Sequence, residues 1–270
     1  MKKVISLHFL DECNLNCPFC YRSSHTRNSL DYDFWIECAS YLSKIAEQVA
    51  LGGGEPFYSR SSSRFVEKFS IESKKHGLIC NCTTNGKNLE HIIKYGYALD
   101  MISVSYDTYK WPDIEEYIST VREIKAHFER IGCNFLITQE YLDRTKLIQD
   151  TKKILEVADY VYFLMPKKTF FVDVLKIRDL IFGFAMLYRS RVFVDDCLYH
   201  VFKEKKYCDW SNPCHYGQDV LNLNQDGSVT GCSFEDNGRY KIKSPKDILN
   251  LAELKFEKRH SCPHLACRIE

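Results

Sequence analysis

The stretch CNLNCPFC places three thiols, Cys13, Cys17 and Cys20, in the spacing CxxxCxxC. Three is an odd count for the common structural uses of cysteine. A structural zinc takes four ligands, and disulfides take pairs. Thiolates also hold iron–sulfur clusters. Three of them around a four-iron cluster leave one iron open to hold something else. A second cysteine-rich zone, Cys197, Cys208, Cys214, Cys232, Cys262 and Cys267, fills the last quarter of the chain. Cys38, Cys80, Cys82 and Cys133 are scattered between and read as small packing hydrophobes. No secretory signal is visible, so thirteen cysteines do not read as a disulfide scaffold. Two separated zones point to two metal sites.

The elements that must position the first zone alternate in type. Apolar runs fit for buried strands are VISLHF (4–9), QVALGGGEP (48–56), LICNCTTNG (78–86), MISVSYD (101–107), CNFLIT (133–138) and YVYFLMP (160–166). RVFVDD (191–196) reads as a last strand or a lead-out. Helical spacing runs through 32–46, about 63–75 and 114–131, and LIFGFAMLY (180–188) reads as a buried helix. Repeated βα units imply a parallel sheet with outer helices and right-handed crossovers. Six units fit in about 195 residues, where a complete eight-unit barrel takes about 250. The expected fold is therefore α/β, a partial (β/α)6 barrel over 1–195, with a small hairpin-containing iron–sulfur domain over 196–270. Chemistry in such sheets sits at the C-terminal strand ends. The cysteine loop, GGGEP, TTNG and SYD all fall there.

The bulk numbers exclude several classes. A net charge of +1 gives no nucleic-acid footprint. The longest apolar run is too short to span a bilayer, which needs about 20 residues. The expectation is a cytoplasmic protein with no membrane and no nucleic-acid partner.

On CxxxCxxC with Phe19 before the third cysteine, the sequence resembles the radical S-adenosylmethionine (SAM) superfamily, over roughly Val4 to Pro166. The resemblance implies a [4Fe–4S] cluster on Cys13, Cys17 and Cys20, with SAM chelating the open iron. It implies reductive cleavage of SAM to a 5′-deoxyadenosyl radical that abstracts hydrogen from a substrate. It also implies SAM contacts from Gly52, Gly53, Gly54 and Glu55 of GGGEP, from Thr84 and Asn85 of TTNG, and from Ser105. Glu55 would meet the SAM ammonium or order its loop. Asn85-Gly86 is also a common turn. Ile137 and Met165 would flank the adenine or pack in the core.

In the second zone, VLNLNQDGSVTGCSF (220–234) alternates around Asp226-Gly227, a hairpin signal that would set Cys232 opposite Leu221. Cys214, twelve residues, Gly227, four residues, Cys232 resembles the first half of the SPASM signature. The second half is absent, so the zone looks like the shorter twitch domain with one auxiliary [4Fe–4S] cluster. Its expected ligands are Cys214 and Cys232 with two of Cys208, Cys262 and Cys267. A zinc ribbon using Cys262, Cys267, His215 and His264 is the rival. Asp195, Asp196 and Cys197 would act at the last strand end, a carboxylate as general base or the thiol as hydrogen donor. Helix capping is the structural alternative.

The leading expectation is modification of a ribosomally made peptide or protein, by thioether or carbon–carbon cross-linking. The first strand begins at about Val4, so a separate peptide-recognition protein or a leaderless substrate is expected. A ferredoxin or flavodoxin would supply electrons. The alternative is a small-molecule dehydrogenase or rearrangement enzyme acting on a sugar or nucleotide. A non-enzymatic metal scaffold would leave GGGEP and TTNG with no ligand to serve.

Overall fold

A computed structural model describes residues 2–20, 29–166, 171–207, 209–235, 238 and 240–262. Cys208, His264 and Cys267 lie outside the described residues. The chain divides into two compact units. The first comprises Met1–Asn16, Cys20–Ile102 and His215–Lys258. The second comprises Cys17–Phe19, Ser103–Cys214 and Arg259–Glu270. The boundary expected at 195/196 stays a functional proposal, since compactness divides the chain elsewhere.

The six expected βα units are present: β1 (Lys2–Leu10) and α1 (Tyr32–Leu42), β2 (Ala46–Gly53) and α2 (Arg60–Lys75), β3 (Ile79–Thr84) and α3 (Leu89–Tyr95), β4 (Met101–Tyr106) and α4 (Ile114–Lys125), β5 (Ile131–Leu136) and α5 (Arg144–Val157), β6 (Tyr160–Leu164) and α6 (Arg178–Leu187). A short seventh pair follows, β7 (Val192–Val194) and α7 (Asp196–Glu204). Then come β8 (Val220–Asn224), β9 (Ser228–Thr230) and β10 (Tyr240–Lys241).

Local chemistry sets the boundaries. Asp31 accepts from the Asp33 N–H and starts α1, which buries Trp35, Cys38, Ala39 and Leu42 at helical spacing. The helix stops at Leu42 rather than continuing to Ala46, because Ala46 pairs with Lys2 at the start of β2. Ser59 and Ser62 form a reciprocal capping box that starts α2 three residues before the expected Ser63. Similarly, α4 ends at Lys125, and Ile131 opens β5 with its N–H held by Asp159 at 2.9 Å. The apolar run 180–188 does form a helix, but it is not a buried one. Met186 and Leu187 are 75% and 73% exposed, and only Ile181 and Phe184 of α6 are buried.

In the first unit the strand order is β10-β9-β8-β1-β2-β3. The β1–β2, β1–β8 and β2–β3 pairs are parallel, while β8–β9 and β9–β10 are antiparallel. The hairpin turns at Asp226-Gly227 as expected, one residue out of the expected register. Leu223 faces Val229 and Asn222 faces Thr230, so β9 ends before Cys232 and Leu221 has no partner there. One face of this sheet is apolar: Ile5 lies level with Leu221, Val49 and Cys80, and Leu7 with Leu223, Leu51 and Cys82. Phe9 continues this face and packs against Phe65 of α2, ring centroids 4.3 Å apart. In the second unit the order is β4-β5-β6-β7, with β5–β6 and β6–β7 parallel.

Candidate active site

The site is built from irregular chain leaving the C-terminal ends of strands. After β1, residues 11–20 form a loop without regular hydrogen-bonded structure, carrying Cys13, Cys17 and Cys20. The second strand's loop packs directly on it. Gly54 N–H donates to the Leu10 carbonyl at 2.8 Å, and Glu55 N–H to the Glu12 carbonyl at 2.8 Å. A Cβ on Gly54 would lie 2.0 Å from the Glu12 carbonyl oxygen, and one on Gly53, whose φ is +112°, 2.3 Å from that of Leu10. These two glycines therefore serve close approach to the cysteine loop.

Glu55 is 2% exposed and acts as the hub of the first unit's rim. One carboxylate oxygen accepts from the Thr84 hydroxyl at 2.6 Å and the Phe57 N–H at 3.1 Å. The other accepts the Asn85 backbone N–H at 2.7 Å. These hydrogen bonds join the loop after β2 to the loop after β3. The Asn85 side chain then reaches the cysteine loop, donating to Asn14 Oδ1 at 2.7 Å with Cys13 Sγ at 3.9 Å. Asn14 itself was not singled out from the sequence. Its signal was a small polar amide between two ligand candidates.

Cys13 is pushed above the ordinary thiol value, first by burial, then by the Glu55 and Cys20 charges. The Leu15 N–H, 3.4 Å from its sulfur, and Asn85 oppose that shift by favouring the thiolate. Cys13 and Cys20 are exposed and Cys17 is half-buried. Among the described residues, no three His, Cys, Asp or Glu side chains are gathered closely enough to hold a metal ion. Three accessible thiols on an irregular loop, one with N–H donors on its sulfur, nevertheless make a donor set that fits a thiolate-bound cluster.

In the second unit, Phe19 meets the loop after β4. Its ring stands edge-on to Tyr109 at 6.0 Å, and the Lys110 ammonium lies 5.0 Å from its centroid. Lys110 pairs with the fully buried Asp107, whose carboxylate also accepts the Tyr109 and Lys110 N–H groups. Sequence reasoning quoted Asp107 only as part of SYD and missed Lys110. Ser105 is half-buried and its carbonyl accepts the Trp111 indole N–H at 3.1 Å. Ile137 and Met165 are buried.

Asp195 caps α7, accepting the Leu198 N–H at 2.6 Å on one oxygen and the Met165 N–H at 3.2 Å on the other. Asp196 Oδ1 lies 3.6 Å from His200 Nε2. Cys197 is buried on the first turn of α7. It hydrogen-bonds Cys214, whose thiol is pushed well up by that bond first, then by burial and by Asp196. Cys232 and Cys262 are buried.

A mostly parallel sheet with a three-cysteine loop after its first strand defines the class as a SAM-dependent radical enzyme fold. Residues 7–161 match the radical SAM superfamily, and the chain belongs to it. Membership implies a [4Fe–4S] cluster and SAM. In sequence the chain is 20% identical over 269 residues to a probable GTP 3′,8-cyclase of Methanocaldococcus jannaschii, covering 89% of this chain and 88% of that one. It is 25% identical over 133 residues to the S-adenosylmethionine-dependent nucleotide dehydratase RSAD2 of Oncorhynchus mykiss, covering 47% of this chain and 37% of that one. In structure it is similar to SuiB of Streptococcus suis bound to the precursor peptide SuiA. That likeness has a TM-score of 0.70 at 14% identity over 93% of this chain. The chain spans 64% of the length of SuiB. No helix among the described residues is long and apolar enough to cross a membrane.

Proposed function

We propose that the chain cleaves SAM reductively and uses the radical to modify a ribosomally made peptide or protein, forming a thioether or carbon–carbon cross-link. The observation that carries the SAM-cleaving part of this reading is the Glu55 hub, which ties GGGEP and TTNG to the loop bearing Cys13. When bound, the cluster and SAM supply a 5′-deoxyadenosyl radical. Cys13, Cys17 and Cys20 hold the cluster. Glu55 and Asn85 hold the loops in place, and Phe19 and Ser105 line the SAM side. Asp196 and Cys197 are the candidates for moving a proton or hydrogen as the substrate radical is resolved. Cys214 and Cys232, with two of Cys208, Cys262 and Cys267, are proposed as the residues that would hold an auxiliary [4Fe–4S] cluster, which would supply an electron acceptor. A ferredoxin or flavodoxin is the proposed donor. A separate peptide-recognition protein is a proposed partner.

A second reading, a nucleotide substrate, is favoured by the similarity to a probable GTP 3′,8-cyclase across 89% of the chain. Anaerobically reconstituted enzyme with SAM and dithionite separates the two. Peptides encoded beside the gene should lose two hydrogens while 5′-deoxyadenosine accumulates. Consumption of GTP with the peptides untouched would favour the nucleotide reading. No 5′-deoxyadenosine with any substrate would end both.

A further inference from the structure

The loop after β4 is a turn built around one buried charge. The Asp107 carboxylate accepts the Tyr109 N–H at 3.1 Å and the Lys110 N–H at 2.9 Å. The Trp111 N–H donates to the Asp107 carbonyl at 2.9 Å and closes the turn. Trp111 is itself buried and fixed. Its indole N–H bonds the Ser105 carbonyl at 3.1 Å, and its ring stands edge-on to Tyr117 at 5.5 Å. The turn from Asp107 to Trp111 is therefore held at both ends by its own unit.

This turn presents two side chains to the cysteine loop. The stretch Cys17–Phe19 groups with the same unit as β4 and its loop. Phe19 meets Tyr109 edge-on at 6.0 Å and the Lys110 ammonium at 5.0 Å from its centroid. The Lys110 side chain is 14% exposed, so little water competes with the ring for the cation. Lys110 is in turn held by its ion pair with Asp107. Residues 11–20 have no regular hydrogen-bonded structure, and side-chain anchors must set their shape. Phe19 sits between Cys17 and Cys20 in the chain, so an anchor on its ring constrains both.

We propose that Lys110 is a positioning residue for the cluster: it acts through Phe19 to hold the Cys17 and Cys20 thiols in the arrangement that takes iron. The proposal rests on membership of the radical SAM superfamily and is independent of the substrate, peptide or nucleotide. A cation is what both neighbours of Lys110 call for, the buried carboxylate on one side and the ring face on the other. Arginine could serve both, since its guanidinium pairs with carboxylates and stacks on aromatic faces. Methionine could fill the space and serve neither.

The test compares wild type, Lys110→Met, Lys110→Arg, Phe19→Leu and the double variant Asp107→Asn/Lys110→Met. The double variant removes both charges, so neither is left buried alone. Urea unfolding of each full chain before reconstitution reads stability. Each enzyme is then reconstituted anaerobically and exposed to an iron chelator. Samples are reduced with dithionite, and the electron paramagnetic resonance signal that shifts on adding SAM is followed over time. That signal belongs to the cluster that binds SAM and leaves any auxiliary cluster out of the reading. Lys110→Met, Phe19→Leu and the double variant should lose it about fivefold faster than wild type, the scale of one cation–π contact. Lys110→Arg should recover the wild-type rate, and the double variant should recover wild-type stability. A double variant that recovers both stability and the wild-type rate would overturn the proposal, leaving Lys110 only the task of neutralising Asp107. Phe19→Leu losing the signal no faster than wild type would overturn it too, whatever the stability of the other variants. A wild type with no SAM-responsive signal would overturn the cluster assignment itself, and this proposal with it.

Discussion

The carboxylate of Glu55 accepts the backbone N–H of Asn85 at 2.7 Å, joining the loop after β2 to the loop after β3. Because the Thr84 hydroxyl and the Phe57 N–H also donate to Glu55, one buried carboxylate ties two stretches together, 55–57 and 84–85. Removing a buried hydrogen-bonded charge and stranding its donors costs about 3 kcal/mol. Glu55→Ala should therefore lower the melting temperature by roughly 5–12 °C. It should also weaken SAM binding, measured by calorimetry on the reconstituted enzyme. A stable variant with unaltered SAM affinity would remove Glu55 from the site.

Cys13, Cys17 and Cys20 were read as a set. Replacing any one with alanine should abolish 5′-deoxyadenosine formation and cut iron content by about four per chain, the size of one cluster. Turnover retained by any of the three variants would contradict the assignment.

Gly54→Ala would place a methyl group 2.0 Å from the Glu12 carbonyl oxygen. The contact is backbone, so the cysteine loop itself must shift. The expected result is a folded protein with impaired cluster loading. Iron analysis and far-UV circular dichroism together would show it.

Lys110→Met should remove the ammonium from the buried Asp107 carboxylate and from the Phe19 ring. Breaking such a pair from one side costs about 3–5 kcal/mol. Lys110→Arg should recover most of that stability. Urea unfolding of both variants is the measurement.

Two packing thiols make stability fall at alkaline pH. Burial pushes Cys38 and Cys133 up to about 12 from an ordinary 9.0. The unfolded chain thus loses these protons first, and the folded state binds more. Their contribution is intact below about pH 9 and falls toward pH 12, by about 1.4 kcal/mol per pH unit for each thiol. Cys38→Ala should flatten that slope in denaturant titrations at pH 9 to 11.

Much of this arrangement was legible in the residues. CxxxCxxC and GGGEP lie close in chain order to the strands that present them, and Asp226-Gly227 announces its own turn. Other features depend on partners distant in sequence. The bond between Glu55 and Asn85 spans thirty residues, so the glutamate's role needed the fold. The exposure of Met186 and Leu187 escaped notice because an apolar run reads alike whether its face is covered or bare. The hairpin register slipped by one because a turn dipeptide does not say which flanking residues pair. Lys110 meets Phe19 only through the fold, a pairing that no local pattern encodes.

Finally, β1 is flanked by β2 on one side and by β8 on the other. The carboxy-terminal quarter therefore supplies a stave of the sheet that also carries the cysteine loop. Cutting the chain after residue 195 would leave β1 with a bare row of amide and carbonyl groups from Val4 to His8, an invitation to intermolecular strand addition. Any attempt to express the cluster-bearing part as a minimal fragment should retain residues through the hairpin. A tag or fusion placed within β8 would act on the same strand that leads into Cys13.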